Sequence, residues 1–311
     1  MISKGISNDV IKIQSFGEEQ PTATNDNEIG KQKNRRVEIV VEYKEQTFSA
    51  NRKYIQTFRR SPQTEMVING KKGTIVRIPP NSFVDSDGKI VKSEVTIELI
   101  EIYTKSDMIL NNVQTISDQE LLETGGMIYI VATSQNGKLE LKKNSFYTVK
   151  FPTDKKQKDM NIFYGDTTSA NINWQQADKN FQSDATYIEN EKEVNKYIFN
   201  PTRFGWINCD RFIGKTETTN LIVDASDAFR VNFYLVFKDI KSIMNVEIQN
   251  NVIQFRNVPI GRTATIVAFK KTDQETLYSS KTVKIKENQT VSIIMEKITD
   301  EEFTNRMKQF D

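Results

Sequence analysis

Between Phe229 and Phe237 every second residue is apolar: Phe229, Val231, Phe233, Leu235 and Phe237 alternate with Arg230, Asn232, Tyr234, Val236 and Lys238. A period of two puts one set of side chains on one face of an extended strand and cannot make the stripe of an amphipathic helix. The pattern continues downstream in Val246 with Ile248, Val252-Ile253 with Phe255, and Ala264, Ile266 and Ala268. Val283 with Ile285, then Val291, Ile293 and Met295, complete about six strands, with a turn at Asn257-Val258-Pro259-Ile260-Gly261. Residues 221–298 therefore read as a β-sandwich.

Residues 64–152 show the same habit. Met66 with Ile68, and Ile75, Val76 with Ile78, flank Asn69-Gly70-Lys71-Lys72-Gly73, an Asn-Gly hairpin signal. Asp85-Ser86-Asp87-Gly88 marks a second tight turn. Val95, Ile97 and Leu99 follow, then Met127, Tyr129 and Val131, Leu139 with Leu141, and Tyr147, Val149 and Phe151. One helix is expected to interrupt the strands, because Ser117-x-x-Glu120 spells a capping box before Leu121-Leu122 and Gly125-Gly126 would stop it. Residues 153–200 are polar apart from Ile162-Phe163-Tyr164 and Ile172-Asn173-Trp174, and read as a connector anchored there, with an extra hairpin. The whole span 64–215 forms a second sandwich module. Residues 46–63, with Arg52, Lys53, Arg59 and Arg60, read as a solvated linker.

The end of the chain changes period. Thr299-x-x-Glu302 is a capping box, and Phe303, Met307 and Phe310 share one face of a short helix over 299–311. A helix this short needs a surface to cover its stripe. Its own sandwich is the expected cover, and a partner's groove the alternative.

The beginning carries the most specific wording. Phe16-Gly17-Glu18, Pro21, Asn25 and Asn34-Arg35-Arg36-Val37-Glu38-Ile39 lie between strand-like pieces at Val10–Ile13 and Val37–Val41. This stretch resembles the last third of the OmpA-like peptidoglycan-associated domain, which ends in a strand, a loop of this wording, a short helix and a final strand. The resemblance covers residues 1–45 and implies a truncated α+β tail, a bacterial envelope protein and a periplasmic, outer-membrane-associated location. The family holds peptidoglycan with an Asp and an Arg upstream of this stretch, so a peptidoglycan contact would come through a missing upstream half-domain. Phe16, Gly17, Pro21, Asn34, Arg35 and Arg36 are thereby expected to be structural. The chain reads as the C-terminal part of a longer protein, with any export signal upstream.

Two further resemblances concern the modules. Gly73-Thr74-Ile75-Val76-Arg77-Ile78-Pro79-Pro80-Asn81-Ser82-Phe83 is similar to the opening of the ZU-type β-sandwich of ankyrins and netrin receptors, which implies protein contacts. Some members of that family cleave themselves with a His, and this sequence has none. The run Phe255 to Ala268, with Asn257-Val258-Pro259 and Gly261, is similar to the small Ig-like modules of bacterial surface proteins, and implies fold alone.

Composition narrows the function. The 311 residues carry a net charge of +2, which gives no electrostatic case for nucleic acid. No apolar run is long enough to span a bilayer as a helix. A single cysteine, Cys209, excludes an internal disulfide, and the lack of His removes the commonest general base and metal ligand. Cys209 beside Asp210 and Arg211 could be imagined as a nucleophile, yet with no His as base a buried structural thiol is the preferred reading. Asp85-x-Asp87-Gly88 opens like a calcium loop but has Thr96 where the closing Glu belongs, so it reads as a plain turn. Glu94, Glu98 and Glu101 read as a solvated row rather than a glycosidase pair. Trp174 and Trp206 read as core in preference to a sugar platform.

The expectation is a mainly β chain with two β-sandwich modules in series and a terminal helix, without cofactor or metal. Its function would be non-enzymatic docking within a cell-envelope assembly, with envelope proteins as partners. A peptidoglycan or glycan anchor is the alternative, and a hydrolase the remotest. The expected contact surface is Trp206, Asn208, Asp210 and Arg211 in the Phe204–Phe212 stretch, with Phe303, Met307 and Phe310 on the terminal helix.

Overall fold

The computed structural model describes residues 16–17, 19–37, 52–153, 157–177, 186–188, 196–225, 230–249 and 252–311. The chain divides into two units, Met1–Lys44 and Glu45–Asp311. In the first unit a loop leads into α1 (Glu28–Asn34), whose N-cap Asn27 accepts a hydrogen bond from the Gly30 amide at 2.8 Å. The Asn34 side chain then clamps the loop. Its Oδ1 accepts from the amides of Thr22 and Ala23, both at 2.9 Å, and its Nδ2 donates to the Ala23 carbonyl at 2.8 Å and to Asn25 Oδ1 at 2.7 Å. A Cβ at Gly30 would lie 1.8 Å from the Thr24 carbonyl oxygen, so only glycine lets helix and loop approach this closely. The strand expected at 10–13 lies outside the described residues, as does the one expected at 37–41 apart from Val37, which is exposed.

In the second unit, module one begins with a turn at Arg52–Tyr54 and then β1 (Gln56–Arg60), β2 (Met66–Asn69), β3 (Ile75–Ile78), β4 (Phe83–Val84) and β5 (Val95–Ile102). Helix α2 (Lys105–Leu110) follows, capped by Thr104 and Asp107 in a reciprocal capping box. Next come β6 (Ile116–Ser117), β7 (Glu120–Ser134), β8 (Gly137–Leu141) and β9 (Thr148–Pro152). The hairpin β10 (Asn161–Asp166) and β11 (Asn173–Gln176) precedes β12 (Thr186–Ile188), β13 (Lys196–Phe199) and β14 (Gly205–Phe212). The large sheet runs β1-β5-β7-β14-β10-β11, with β4, β6 and β8 attached around β7, and the small sheet runs β12-β13-β9-β3-β2. Between them Ile97, Leu99, Ile128, Ile130, Ile207 and Cys209 of the large sheet pack on Ile68, Val76, Val149, Phe151, Tyr197 and Phe199 of the small one.

Module two holds β15 (Thr218–Ala225), β16 (Asn232–Phe237), β17 (Ile243–Asn245), β18 (Glu247–Gln249), β19 (Val252–Pro259), β20 (Thr263–Lys271), β21 (Thr276–Lys284), β22 (Thr290–Ile293) and β23 (Glu296–Ile298), then α3 (Asp300–Lys308). Its sheets run β18-β19-β15-β22 and β17-β16-β20-β21-β23, around a core of Leu221, Phe233, Leu235, Phe255, Ile266 and Val291. Among the described residues all ladders in the unit are antiparallel except β15 with β22. The chain is mainly β, as its alternation requires.

Three local expectations are overturned. The helix expected after Ser117 is the long strand β7. Its residues 121–128 are all buried, so both faces are covered and the apolar run loses the alternation that marks a half-buried strand. Gly125 and Gly126 do not stop a helix there. Gly126 has φ +145°, and a Cβ on it would meet the Tyr103 ring at 2.4 Å. The helix lies instead at 105–110. Within the expected linker 46–63, residues 56–60 form β1, registered with Leu99 to Val95 of β5, and Phe58 packs against the core. The third concerns Glu101, which shares strand parity with Ile97 and Leu99 and is 3% exposed. Its carboxylate accepts from Gln56 Nε2 at 2.8 Å and from the amides of Lys72 and Thr74 at 2.9 Å. It thus fastens the Asn69–Gly73 hairpin, while Glu94 stays exposed and Glu98 half-exposed.

Candidate functional site

β14 is built by alternation around one bulge. Ile207 and Cys209 point into module one's sandwich core, and Trp206 and Asn208 point out of its other face. Asp210 follows the bulge between Cys209 and Asp210 and lies on the same side as Asn208, whose Nδ2 donates to Asp210 Oδ2. That outer face is not open. Ile100, Ile102, Met127, Phe163, Trp174 and Trp206 share a single buried cluster with Tyr234, Val236, Val267 and Tyr278 of module two. Trp206 lies 5.0 Å from the Tyr129 ring and 6.5 Å from Trp174, the latter edge to face.

Around these aromatics runs a polar seam. Trp174 Nε1 donates to the Gln114 carbonyl at 2.6 Å, and the Gln114 side chain donates to Ile172 O at 2.9 Å and accepts from the Asn245 amide at 3.1 Å. The Thr115 amide donates to Ile243 O at 3.0 Å, and the Ile243 amide returns a bond to Thr115 Oγ1 at 3.0 Å. Ser242 Oγ lies 2.6 Å from the same hydroxyl. Asn245 Nδ2 reaches Asn112 and Asn171, and Tyr234 OH donates to Asn112 Oδ1 at 3.1 Å. Thr124 N donates to Lys241 O at 3.0 Å, and Lys105 Nζ donates to Phe237 O. Desolvation pulls the Lys105 ammonium below the usual lysine range, against the pull of Asp239. Buried hydrogen bonds of this kind fix one relative placement of two surfaces, although Asn245 Oδ1 is left without a partner among the described residues.

The residues expected to form a contact surface are mostly spent inside this seam. Trp206 is 4% exposed, Asn208 and Asp210 are fully buried, and Phe303 and Met307 are 6% and 2% exposed. They cannot offer an open face, because module two and α3 already cover them. Helix α3 packs on its own chain, as expected: the Phe303 ring centre lies 5.1 Å from Phe269, and Phe310 lies against the same cluster. Beyond the helix Asp311 reaches module one, where its carboxylate accepts from the Ser106 amide at 3.3 Å. Arg211 and Phe310 stay half-buried, and Arg211 pairs with Glu123 rather than Asp210. Its Nε donates to Glu123 Oε2 at 3.1 Å and to Gln157 Oε1 at 2.7 Å. The polar seam residues Gln114, Thr115, Ser242 and Asn245 carry no periodic signal, and only their clustering between apolar runs marks them in the sequence.

Burial governs the titratable groups of the site. Burial pushes the Cys209 thiol well above its ordinary range, with the Asp210 charge adding to it, so the reactive thiolate is disfavoured. Burial likewise holds the Asp210 carboxyl well above the usual carboxylate range, although the neighbouring Thr124 side chain, the charge of Lys241 and the bond from Asn208 oppose the shift, the Thr124 hydroxyl itself donating to Asn208 Oδ1 at 2.8 Å. Trp174 and Trp206 are core residues and present no ring face to a sugar. Asp85 Oδ1 accepts from the amides of Asp87 at 3.0 Å and Lys89 at 2.9 Å, which makes the Asp85–Gly88 segment a self-contained turn. Among the described residues no group of three or more acidic or Cys side chains is placed to hold a metal ion, and no helix is long and apolar enough to cross a membrane. Set against known family models, curated proteins and solved structures, the chain matches none.

Proposed function

We propose that this chain is a non-enzymatic docking or structural protein of a bacterial cell-envelope assembly, on the periplasmic side and associated with the outer membrane, acting through protein–protein contacts. The observation that carries the reading is the seam. Two sandwich modules that worked as separate binding or catalytic domains would keep the outer face of the large sheet free. Here that face is consumed in joining them, and the nearest polar groups serve as internal ties. A rigid pair of sandwiches is suited to hold partners at fixed separation. The envelope location rests on the resemblance of residues 1–45, and the Asn34 clamp on the loop at 22–25 agrees with the structural role expected of that asparagine.

A second reading, the peptidoglycan anchor, draws on the same loop and helix. The test separates the two. Photo-crosslinking residues are placed at the exposed Phe146, Phe212 and Ile294 in cells, and the purified chain is sedimented with insoluble peptidoglycan. Crosslinks to envelope proteins with no sedimentation support docking. Sedimentation that depends on residues 1–45 replaces it with the anchor.

A further inference from the structure

We propose that the seam between the two modules is a proton-operated latch, held closed by Asp210 as the neutral acid and loosened when that acid ionises. Asp210 is fully buried where module two meets the large sheet, directly across from Thr124 in the β14–β7 ladder. The Thr124 amide is one of the backbone groups that hold module two, through Lys241 O at 3.0 Å. Of the two carboxyl oxygens, Oδ2 accepts from Asn208, and Oδ1 has no hydrogen-bond partner among the described residues. A buried carboxylate normally gathers several donors, and one left half-satisfied is costly as an anion and tolerable as an acid.

The surrounding charges do not rescue the anion. Module two contributes Lys241, which favours ionisation, while Asp239 acts on Lys105. From β7 comes Glu123, which opposes ionisation and is already paired with Arg211. The Lys105 ammonium is engaged by the Phe237 carbonyl, and β10 sets the uncharged Asn161 opposite Asp210. Desolvation exceeds all of these, and the carboxyl titrates well above its ordinary range while the seam is closed. Opening the seam admits water and returns it to that range. Between the two values the closed form holds one proton more than the open form, so closure is strongest in acid and weakens as pH rises. Once Asp210 ionises in place, the dependence ends.

The test is hydrogen exchange on the full chain from about pH 4 to about pH 9, expressed as protection relative to intrinsic exchange. Peptides spanning 111–124 and 239–245 report the seam, and those spanning 127–134 and 263–269 report the module cores. Seam protection is expected to fall about tenfold per pH unit above the ordinary carboxyl range and then level off, as linkage to one proton requires, while the cores stay flat. Asp210→Asn should remove the slope. Lys241→Met keeps the backbone tie and should move the levelling point to higher pH, because the ammonium favours the ionised acid. A flat seam in the parent chain, a slope that survives Asp210→Asn, or a levelling point unmoved by Lys241→Met would each overturn the latch. Lys241→Met carries the test if Asp210→Asn fails to fold.

Discussion

The large sheet of module one is covered on both faces, by different means. On its inner face Ile97, Leu99, Ile128, Ile130 and Ile207 meet apolar side chains of the small sheet, and polar groups such as Glu101 enter at the rim. On its outer face Trp174, Trp206 and Met127 lie beside Gln114, Thr115, Asn208 and Asp210, and the cover is another module. The inner face gains from non-directional burial, about 1.5–3 kcal/mol for each large apolar side chain. Its partners could slide and still gain. The outer face adds hydrogen bonds that are satisfied in one docking geometry only, so it trades some burial for a fixed angle between modules.

The largest effect is expected where the two faces share one strand. Gly126 lies in the middle of β7, and Gly126→Ala would combine an unfavourable φ with a Cβ driven into Tyr103, whose hydroxyl lies 2.7 Å from Thr74 Oγ1, just before β3 of the opposing sheet. Strain of about 1–3 kcal/mol and overpacking of about 1–3 kcal/mol should together remove about 4 kcal/mol in denaturant unfolding. A neutral result would show that β7 can shift freely between its two covers.

Trp174→Ala tests the outer face directly. The side chain is fully buried and its indole nitrogen holds the Gln114 carbonyl, so a loss of about 3–5 kcal/mol is expected. If the modules are one cooperative body, far-UV circular dichroism and hydrogen exchange in β20 should report the loss together with module one. Two separate transitions would break the comparison, leaving the outer face a contact rather than a core. Thr115→Val is subtler. It removes the hydroxyl that serves both Ile243 and Ser242 while keeping shape, and should cost about 2 kcal/mol, seen as faster exchange at Ile243.

These faces were unequally legible in the sequence. Alternation in Val95–Leu99 revealed a half-buried strand, because one side contrasts with the other, whereas β16 shows the period only through Asn232 and Lys238, since Tyr234 and Val236 are buried too. The same logic failed for β7. A strand buried on both sides shows no contrast, and its glycines, which admit the Tyr103 and Tyr197 rings, look like a helix stop. Glu101 was misplaced for a related reason: its parity put it with Leu99, but a carboxylate suggested solvent until the amides of Lys72 and Thr74 supplied partners from residues 27 and 29 positions away. The Phe204–Phe212 stretch was correctly singled out as dense, and Cys209 as buried. Its density reflects two covers rather than one open surface, which no spacing within the stretch could reveal.

The smallest effect is expected at the rim of the outer face, and it asks how far that face depends on α3. Thr299 Oγ1 accepts from the Glu302 amide at 3.1 Å, and the Glu302 carboxylate accepts from the Thr299 amide at 2.8 Å. Thr299→Ala deletes the first of these bonds and should cost about 1 kcal/mol. The Glu302 carboxyl is held below its ordinary range, chiefly by the Thr299 amide. Its contribution is therefore present above the ordinary carboxyl range and is lost as pH falls through the lowered value, so acid should weaken the parent's cap. The two tryptophans of the chain, Trp174 and Trp206, both lie in the seam, so their fluorescence reports the outer face alone. The emission of Thr299→Ala should stay at the parent's wavelength under native conditions, since Phe303 and Met307 lie beyond the frayed first residues. A red shift would mean that the cap itself keeps water out of the seam, and that α3 closes the outer face rather than resting on it.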